Sequence, residues 1–297
     1  MHITFRQMRL FLALAETGSV SGAARVMHVT QPTASMQLRE ITRAVGLPLY
    51  EVMARRVHLT EVGIELARTA RAMVTEWDTL GQKVDAIKGL TRGRLRLAVV
   101  STAQYFIPRL LGSFCKRYPD IDVALQVLNR DGVLLRMREN QDDLYIMSQP
   151  PADIELEDRI FMANPLVVIA PPKHPLADKR RIALRELRQE LFILREPGSG
   201  TRMAVDQHFK KMKFSPVVRL ELGSNEAIRE AVSAGLGLSV LSAHALGPAA
   251  SSARKVNILR VQDFPLPSQW HLVWHKGKRL SPSALAFSDH LNRQDKA

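Results

Sequence analysis

The residues best suited to hold a ligand are hydroxyls, glycines and an arginine placed at the ends of short apolar runs. "LREPGSGTR" sets Gly198, Ser199, Gly200, Thr201 and Arg202 between an apolar run and a helical stretch. Ser101 and Thr102 follow "RLRLAVV", Ser148 and Gln149 follow "DLYIM", and Ser224 and Asn225 open another helical stretch. Glycines let backbone N–H groups approach, hydroxyls donate, and a guanidinium pairs with carboxylate or phosphate, so the chemistry these residues share is the binding of a small anion. Each Ser, Thr or Asn is equally an ordinary helix cap, and only the cluster as a whole points to a ligand. No catalytic or metal set stands out. "SAGLGLSVLS" has Gly235 and Gly237 without a third glycine at dinucleotide-loop spacing, and "PGSGT" lacks the spacing of a nucleophile elbow. His271 and His275 fall on a predicted strand, where residues four apart share a face but stand far apart along it. Cys115 is the only cysteine, which excludes an internal disulfide and a thiolate zinc site; "LLGSFCKRYPD" reads as a helix that buries it as a structural thiol, with a redox sensor as the alternative.

A second set of interacting residues lies near the start of the chain, and the helices around it explain why they are exposed. Met8, Phe11, Leu12 and Ala15 share one side of an opening helix that Gly18 ends, and Ser19 or Ser21 caps a second helix bearing Ala23, Ala24 and Met27. After "HVT", Thr30 or Gln31 caps a third helix with Pro32 in its first turn, where a missing N–H costs nothing. Ala34, Leu38, Ile41 and Val45 form the buried stripe, leaving Pro32, Met36, Arg39 and Arg43 on the opposite face with Thr33 and Ser35 beside it. Small alanines where two short helices cross, joined by a tight turn, describe a helix-turn-helix whose second member lies in a major groove. "LPLYEVMARRVHLTEVG" then reads as a two-stranded wing carrying Arg55 and Arg56 toward phosphates or a minor groove. The alternative is a three-helix domain with a solvated basic face.

From about Glu61 to Lys88, Leu66, Ala70, Met73, Trp77, Leu80, Val84 and Ile87 repeat at alternating intervals of four and three, an a/d seam. Such a helix calls for a second copy of itself, or else for the rest of its own chain. Beyond it, strands are expected at 94–100, 121–128, 143–147, 166–170, 191–194, 217–222, 237–241 and 270–275, alternating with helices near 104–117, 131–139, 201–212, 225–234 and 282–293. That alternation predicts a mainly parallel α/β module in two lobes, with ligands beyond the strand C-termini.

The chain has a net charge of +13, which favours anionic partners. Residues 1–60 hold seven arginines against three acids, and the excess continues into the C-terminal module, so it is not a basic arm. No stretch reads as a signal peptide or a membrane span, which makes a cytoplasmic location the simplest expectation.

With these parts in this order, the chain resembles the LysR-type transcriptional regulators. "FLALAETGSVSGAARVMHVTQPTASMQLREI…GLPLYE…RRVHLTEVG" is similar to that family's DNA-binding signature. The resemblance implies three parts: a winged helix-turn-helix DNA-binding domain at 1–60, a linker and dimerisation helix at 61–90, and a periplasmic-binding-protein-like effector domain at 91–297. Lobe I of that domain would span about 91–163 and 267–297, and lobe II about 164–266. The family further implies DNA contacts from Gln31, Pro32, Thr33, Ser35, Met36, Arg39, Arg55 and Arg56, and a homotetramer built as a dimer of dimers. RNA polymerase is an expected partner. An effector site between the lobes would draw on Ser101, Thr102, Ser148, Gly198, Ser199, Thr201, Arg202 and Asn225, with a sugar phosphate or carboxylate as effector and no cofactor.

Three departures from the family pattern stand out: Ile41-Thr42 replaces the usual Leu-Glu, Tyr50 replaces a Phe, and Val52 stands where an Arg is common, removing one phosphate contact. "RGRLRLAVVSTAQYFIPRLLGSF", "NPLVVIAPPKHPLA" and "LREPGSGTR" are similar to the CbbR branch, which regulates carbon-fixation operons. The competing expectations are a metabolite-responsive regulator of an unrelated operon, a solute-binding protein, and an enzyme built on the α/β module.

Overall fold

The computed structural model describes residues 2–54, 56–87, 92–247 and 256–294. It forms two compact units, Met1–Leu90 with Glu139–Gln141, and Thr91–Arg138 with Asp142–Ala297. Among the described residues, no helix is long and apolar enough to cross a membrane.

The first unit opens with helices α1 (Phe5–Thr17), α2 (Val20–Val26) and α3 (Gln31–Val45). Each begins where a side-chain oxygen accepts from an otherwise unpaired backbone N–H: Thr4 from Gln7, Ser19 from Gly22, Thr30 from Thr33. Gly18 and Gly46 end α1 and α3 in the left-handed region, at φ 62° and 81°. The helices meet through Leu10, Phe11, Leu14, Ala23, Ala24, Ala34, Leu38 and Ile41, all buried. Methyl-sized contacts at Ala23, Ala24 and Ala34 let α2 and α3 cross closely, while each large side chain buried there contributes about 1.5–3 kcal/mol.

Strands β1 (Tyr50–Met53) and β2 (Arg56–Leu59) pair antiparallel, Tyr50 opposite Leu59 and Met53 opposite Arg56. Helix α4 (Glu61–Ile87) follows. It starts against the chain before β1: a Cβ on Gly63 would sit 1.9 Å from the Leu49 carbonyl oxygen, so only glycine permits that approach.

In the second unit the elements run β3 (Gly93–Val100), α5 (Ile107–Arg117), β4 (Ile121–Leu128), α6 (Arg130–Arg138), β5 (Leu144–Met147), β6 (Leu156–Ala163), β7 (Leu166–Ala170) and β8 (Leu191–Arg195). Then come α7 (Gly200–Lys211), β9 (Val217–Leu222), α8 (Asn225–Ser233), β10 (Ser239–Ser242), β11 (Asn257–Ile258), β12 (Gln269–His275) and α9 (Pro282–Gln294). One sheet has the order β4-β3-β5-β12-β6 over a core that includes Leu97, Val99, Phe114, Ile146, Trp270 and Phe287. The other lobe has β7 between β10 and β11, and β8 beside β9. Leu238 joins the two pieces: it donates to the Leu191 carbonyl and accepts from Ile193, both at 2.8 Å. The chain leaves the first lobe after β6 and returns before β12, and the two crossings are bonded through Asn164 N–H to the Ser268 carbonyl at 2.8 Å.

The expectation of a mainly parallel arrangement is corrected. β3 runs parallel to β4 and β5, and β8 to β9, but β12 is antiparallel to β5 and β6, and β7 to β10 and β11. The antiparallel strand β12 re-enters the first sheet only after the chain has passed through the other lobe, so it is not joined to β5 or β6 by the strand-helix-strand crossover that makes neighbours parallel. Strand β6, absent from the expected set, lies at the sheet edge with half of its side chains exposed and one buried, so it lacks the apolar run by which the expected strands were read. The helix expected at 104–117 begins instead as a 3-10 turn at Ser101–Tyr105, ahead of α5. Cys115 is exposed rather than buried. Phe114, one position earlier on α5, takes the core-facing direction, and a step of roughly 100° along the helix turns Cys115 outward.

Candidate functional site

The outer face of α3 comprises exposed Gln31, Pro32, Met36 and Arg39, with Thr33 and Ser35 half-buried beside them. Its first turn is ordered by local bonds. Ser21 Oγ donates to Gln31 Oε1 at 3.2 Å across the turn from α2, and the Thr30 and Thr33 hydroxyls lie 2.8 Å apart. Arg56 is exposed at the start of β2, and Val52 is exposed on β1; Arg55 lies outside the described residues. The face is mostly polar, carries the exposed Arg39 guanidinium and begins at a turn held by local hydrogen bonds.

Along α4 the seam divides. Ala70 is buried and Leu66 half-buried against the first unit's own core, whereas Met73, Trp77, Leu80 and Val84 remain exposed, Trp77 at 62%. The Ile87 side chain lies outside the described residues. Phe5 from α1 extends this apolar strip, its ring centroid 5.7 Å from that of Trp77.

In the second unit a narrow cleft of about 20 Å³ opens between the lobes where β3, β5 and β8 end. Ser101, Thr102, Ser148, Ser199 and Thr201 line it, as do Gln149 and Gly200. Ser199 caps α7, its hydroxyl accepting from Arg202 N–H at 3.3 Å. A Cβ on Gly200 would come within 2.8 Å of Ser148 Oγ, so this glycine lets the start of α7 approach the other lobe. Gly198, at φ 84°, and Asn225 stand behind the lining. Arg202 also lies outside the lining. Its Nε bonds to Asp206 at 2.9 Å, and its Nη1 to Glu221 Oε1 at 2.6 Å and to the Arg195 carbonyl at 2.7 Å.

Two arginines not singled out from the sequence face the cleft. Arg195 ends β8 and is 4% exposed. Its Nε and Nη2 bond to Glu196 at 2.7 and 2.8 Å, and its Nη1 to Asn225 Oδ1 at 2.8 Å and Thr102 Oγ1 at 3.3 Å. Glu196 therefore balances its charge. Arg130, at the start of α6, donates through Nη2 to the Gln149 carbonyl at 3.0 Å, and its Nε is buried with no partner. Burial lowers the Arg130 pKa, disfavouring its charged form. A buried guanidinium N–H aimed at a hydroxyl-lined cleft is the complement of a small oxyanion.

The lobes are also bonded to each other beside the cleft. Tyr105 Oη and Gln104 Nε2 both donate to Glu226 Oε1, at 2.5 and 2.9 Å, while Ser224 Oγ donates to Glu226 Oε2 at 3.0 Å. Burial, followed by the Glu226 hydrogen bond, pushes the Tyr105 phenol up to about 12. Asn225 Nδ2 reaches Thr102 Oγ1 at 3.2 Å. Arg195 was open to detection by the rule that ligands sit at strand C-termini. Arg130 and Glu226 offered no such signal, because their partners are distant in the chain.

Comparison with known proteins gives these features a context. Residues 5–64 match the model for bacterial regulatory helix-turn-helix proteins of the lysR family, and residues 88–296 match the LysR substrate binding domain. The chain is 42% identical to the HTH-type transcriptional activator CmpR of Synechocystis sp. over 300 residues, covering 99% of this chain and 96% of the relative. It is 42% identical to a RuBisCO operon transcriptional regulator of Allochromatium vinosum over 289 residues, covering 97% and 95%. Among solved structures, the Synechocystis CcmR regulatory domain in complex with 2-PG is 48% identical, with a TM-score of 0.66 over 68% of this chain and 97% of that one. With family models matched over both units and such identity end to end, the chain belongs to the LysR family of bacterial helix-turn-helix transcriptional regulators.

Proposed function

We propose that this regulator reads promoter DNA with α3 and is controlled by a small dianion, a phosphorylated short-chain acid of the 2-phosphoglycolate type, bound between its lobes. The observation that carries the effector reading is Arg130: its Nε is buried and unpartnered among the described residues, and the residue lines the same narrow cleft as five hydroxyls. Leaving such a group unsatisfied costs about 1–3 kcal/mol, a cost that an arriving oxyanion removes. The structure of the CcmR domain with 2-PG supports the choice of anion, and the RuBisCO operon regulator among the relatives supports genes of carbon fixation as targets.

In this reading Ser101, Thr102, Ser148, Ser199 and Thr201 donate to the anion while Arg130 supplies charge. Arg195, held by Glu196 and Asn225, keeps Thr102 in place across the lobes. Gln31, Pro32, Thr33, Ser35, Met36 and Arg39 form the groove face, and Arg56 reaches the backbone. The exposed Met73, Trp77, Leu80 and Val84 meet the same residues of a second copy, and two such dimers assemble on DNA. A ligand that prefers one lobe angle shifts the population toward it, and the assembly converts that shift into a new spacing of DNA contacts.

DNase footprinting on the intergenic DNA beside the protein's own gene, with and without 2-phosphoglycolate, tests the proposal. A long protected region that shortens or shifts with the metabolite is expected. Protection insensitive to it refutes the effector, and no protection refutes the DNA reading.

A further inference from the structure

A second cationic hollow lies in lobe II, away from the effector cleft. It offers about 570 Å³ and opens to solvent, and its lining includes Arg180, Arg181, Arg260, Gln262, Phe264 and Pro265. Two chain segments build it side by side. Ile182 pairs in parallel with Val261, its N–H donates to the Arg260 carbonyl at 3.0 Å, and Gln262 N–H donates to the Ile182 carbonyl at 2.8 Å. Ile182 and Val261 are buried, so the period of two in extended chain turns their neighbours Arg181, Arg260 and Gln262 outward on one face.

The charges in this hollow are unbalanced. Nearby Lys179 is taken by Glu186 at 2.7 Å, but among the described residues no carboxylate comes within ion-pair distance of Arg180, Arg181 or Arg260. Arg181 instead points Nε and Nη2 at the Gln262 side-chain amide, whose oxygen accepts from them at 2.5 and 2.9 Å once the amide is turned to satisfy both groups. Asp263 is the one acid in the lining, which leaves three guanidiniums against a single carboxylate. Like charges so gathered repel, and a multivalent anion among them relieves that repulsion.

Half-buried Phe264, packed edge-on against His208, and exposed Pro265 add carbon surface to the same lining, a pairing that suits an oligophosphate carried on an aromatic base. They also lead through Leu266, bridged to Leu166, to Ser268, whose carbonyl holds Asn164 in the other crossing between lobes. A ligand seated there touches Pro265, in the segment that leads directly into the return crossing.

We propose that this hollow is a second anion site, separate from the effector cleft, that takes a nucleoside polyphosphate and through the lobe crossing tunes the response to the first effector. Isothermal titration of the full-length protein with ATP, and separately with tripolyphosphate, is the test. Saturable ATP binding is expected that excess 2-phosphoglycolate does not displace and that tripolyphosphate competes with. Arg181→Ala and Arg260→Ala each weaken it at least tenfold, Arg260→Gln does the same with less change in size, and Arg39→Ala leaves it unaltered. These arginines are exposed, so the variants keep the wild-type melting temperature. Absence of saturable ATP binding overturns the proposal. So does binding that 2-phosphoglycolate displaces, that only Arg39→Ala removes, or that survives both lobe II substitutions.

Discussion

Replacing Arg130 with methionine separates effector recognition from stability. In the effector-free chain its guanidinium makes one bond, Nη2 to the Gln149 carbonyl at 3.0 Å, and leaves Nε buried and unpaired. A charged hydrogen bond of that kind contributes about 1.5–3 kcal/mol, and an unsatisfied buried donor costs about 1–3 kcal/mol, so the two nearly cancel. Methionine keeps much of the apolar stem and removes both. The melting temperature is therefore expected to move by no more than roughly 2–4 °C, the shift that 1 kcal/mol produces in a domain of this size. Affinity behaves differently. The ligand loses at least one charge-assisted bond of about 1.5–3 kcal/mol, which at about 1.4 kcal/mol per decade weakens binding roughly 10- to 150-fold. Arg130→Lys restores charge without the fork and recovers part of the loss. Calorimetric titration with 2-phosphoglycolate, run beside differential scanning fluorimetry, reads both quantities. Affinity within threefold of wild type would refute the assignment of Arg130 as the anion's partner, and a collapse in melting temperature would make it a structural residue.

Other expectations concern the remaining parts. Arg39→Ala should weaken binding to a cognate duplex by about 1–3 kcal/mol if it grips a base bidentately, read by fluorescence anisotropy. A loss equal on cognate and unrelated DNA, with the salt slope reduced by about one, would reassign Arg39 to a phosphate. Trp77→Glu places a charge in the exposed seam of α4 and should convert dimers to monomers in sedimentation velocity; an unchanged sedimentation coefficient would place the self-contact elsewhere. His208 and His290 both have pKa values lowered from 6.5, first by burial, so the unfolded chain binds more protons than the folded one as pH falls. The stability tied to their neutral forms is full above pH 6.5 and is lost as pH drops through their folded values. Melting curves over the acidic range should show this loss, reduced in His208→Gln; an equal slope in the variant would remove His208 from the explanation.

Local patterns made much of this molecule legible. The periodic burial of Ala34, Leu38 and Ile41, the capping threonines and serines, and the glycine stops at Gly18 and Gly46 act over three or four residues. They therefore determine the helices of the first unit, the outward face of α3 and the seam of α4 without reference to the rest of the chain. The buried runs of β3, β5 and β7 are equally local, and the hydroxyls at two of their ends already pointed to an anion cleft. Tertiary structure decided what depends on distant partners. Arg195 meets Thr102 across 93 positions and Tyr105 meets Glu226 across 121, separations that no periodicity encodes. The antiparallel insertion of β12 followed from the return of the chain out of the second lobe, and the outward turn of Cys115 from Phe114 occupying the core. Arg202, the cation the sequence pointed to, is consumed by Asp206 and Glu221, while Arg130 is left without a partner at Nε. Propensity and amphipathic pattern are properties of neighbours along the chain, whereas the availability of a charge is set by every group the fold brings within reach of it.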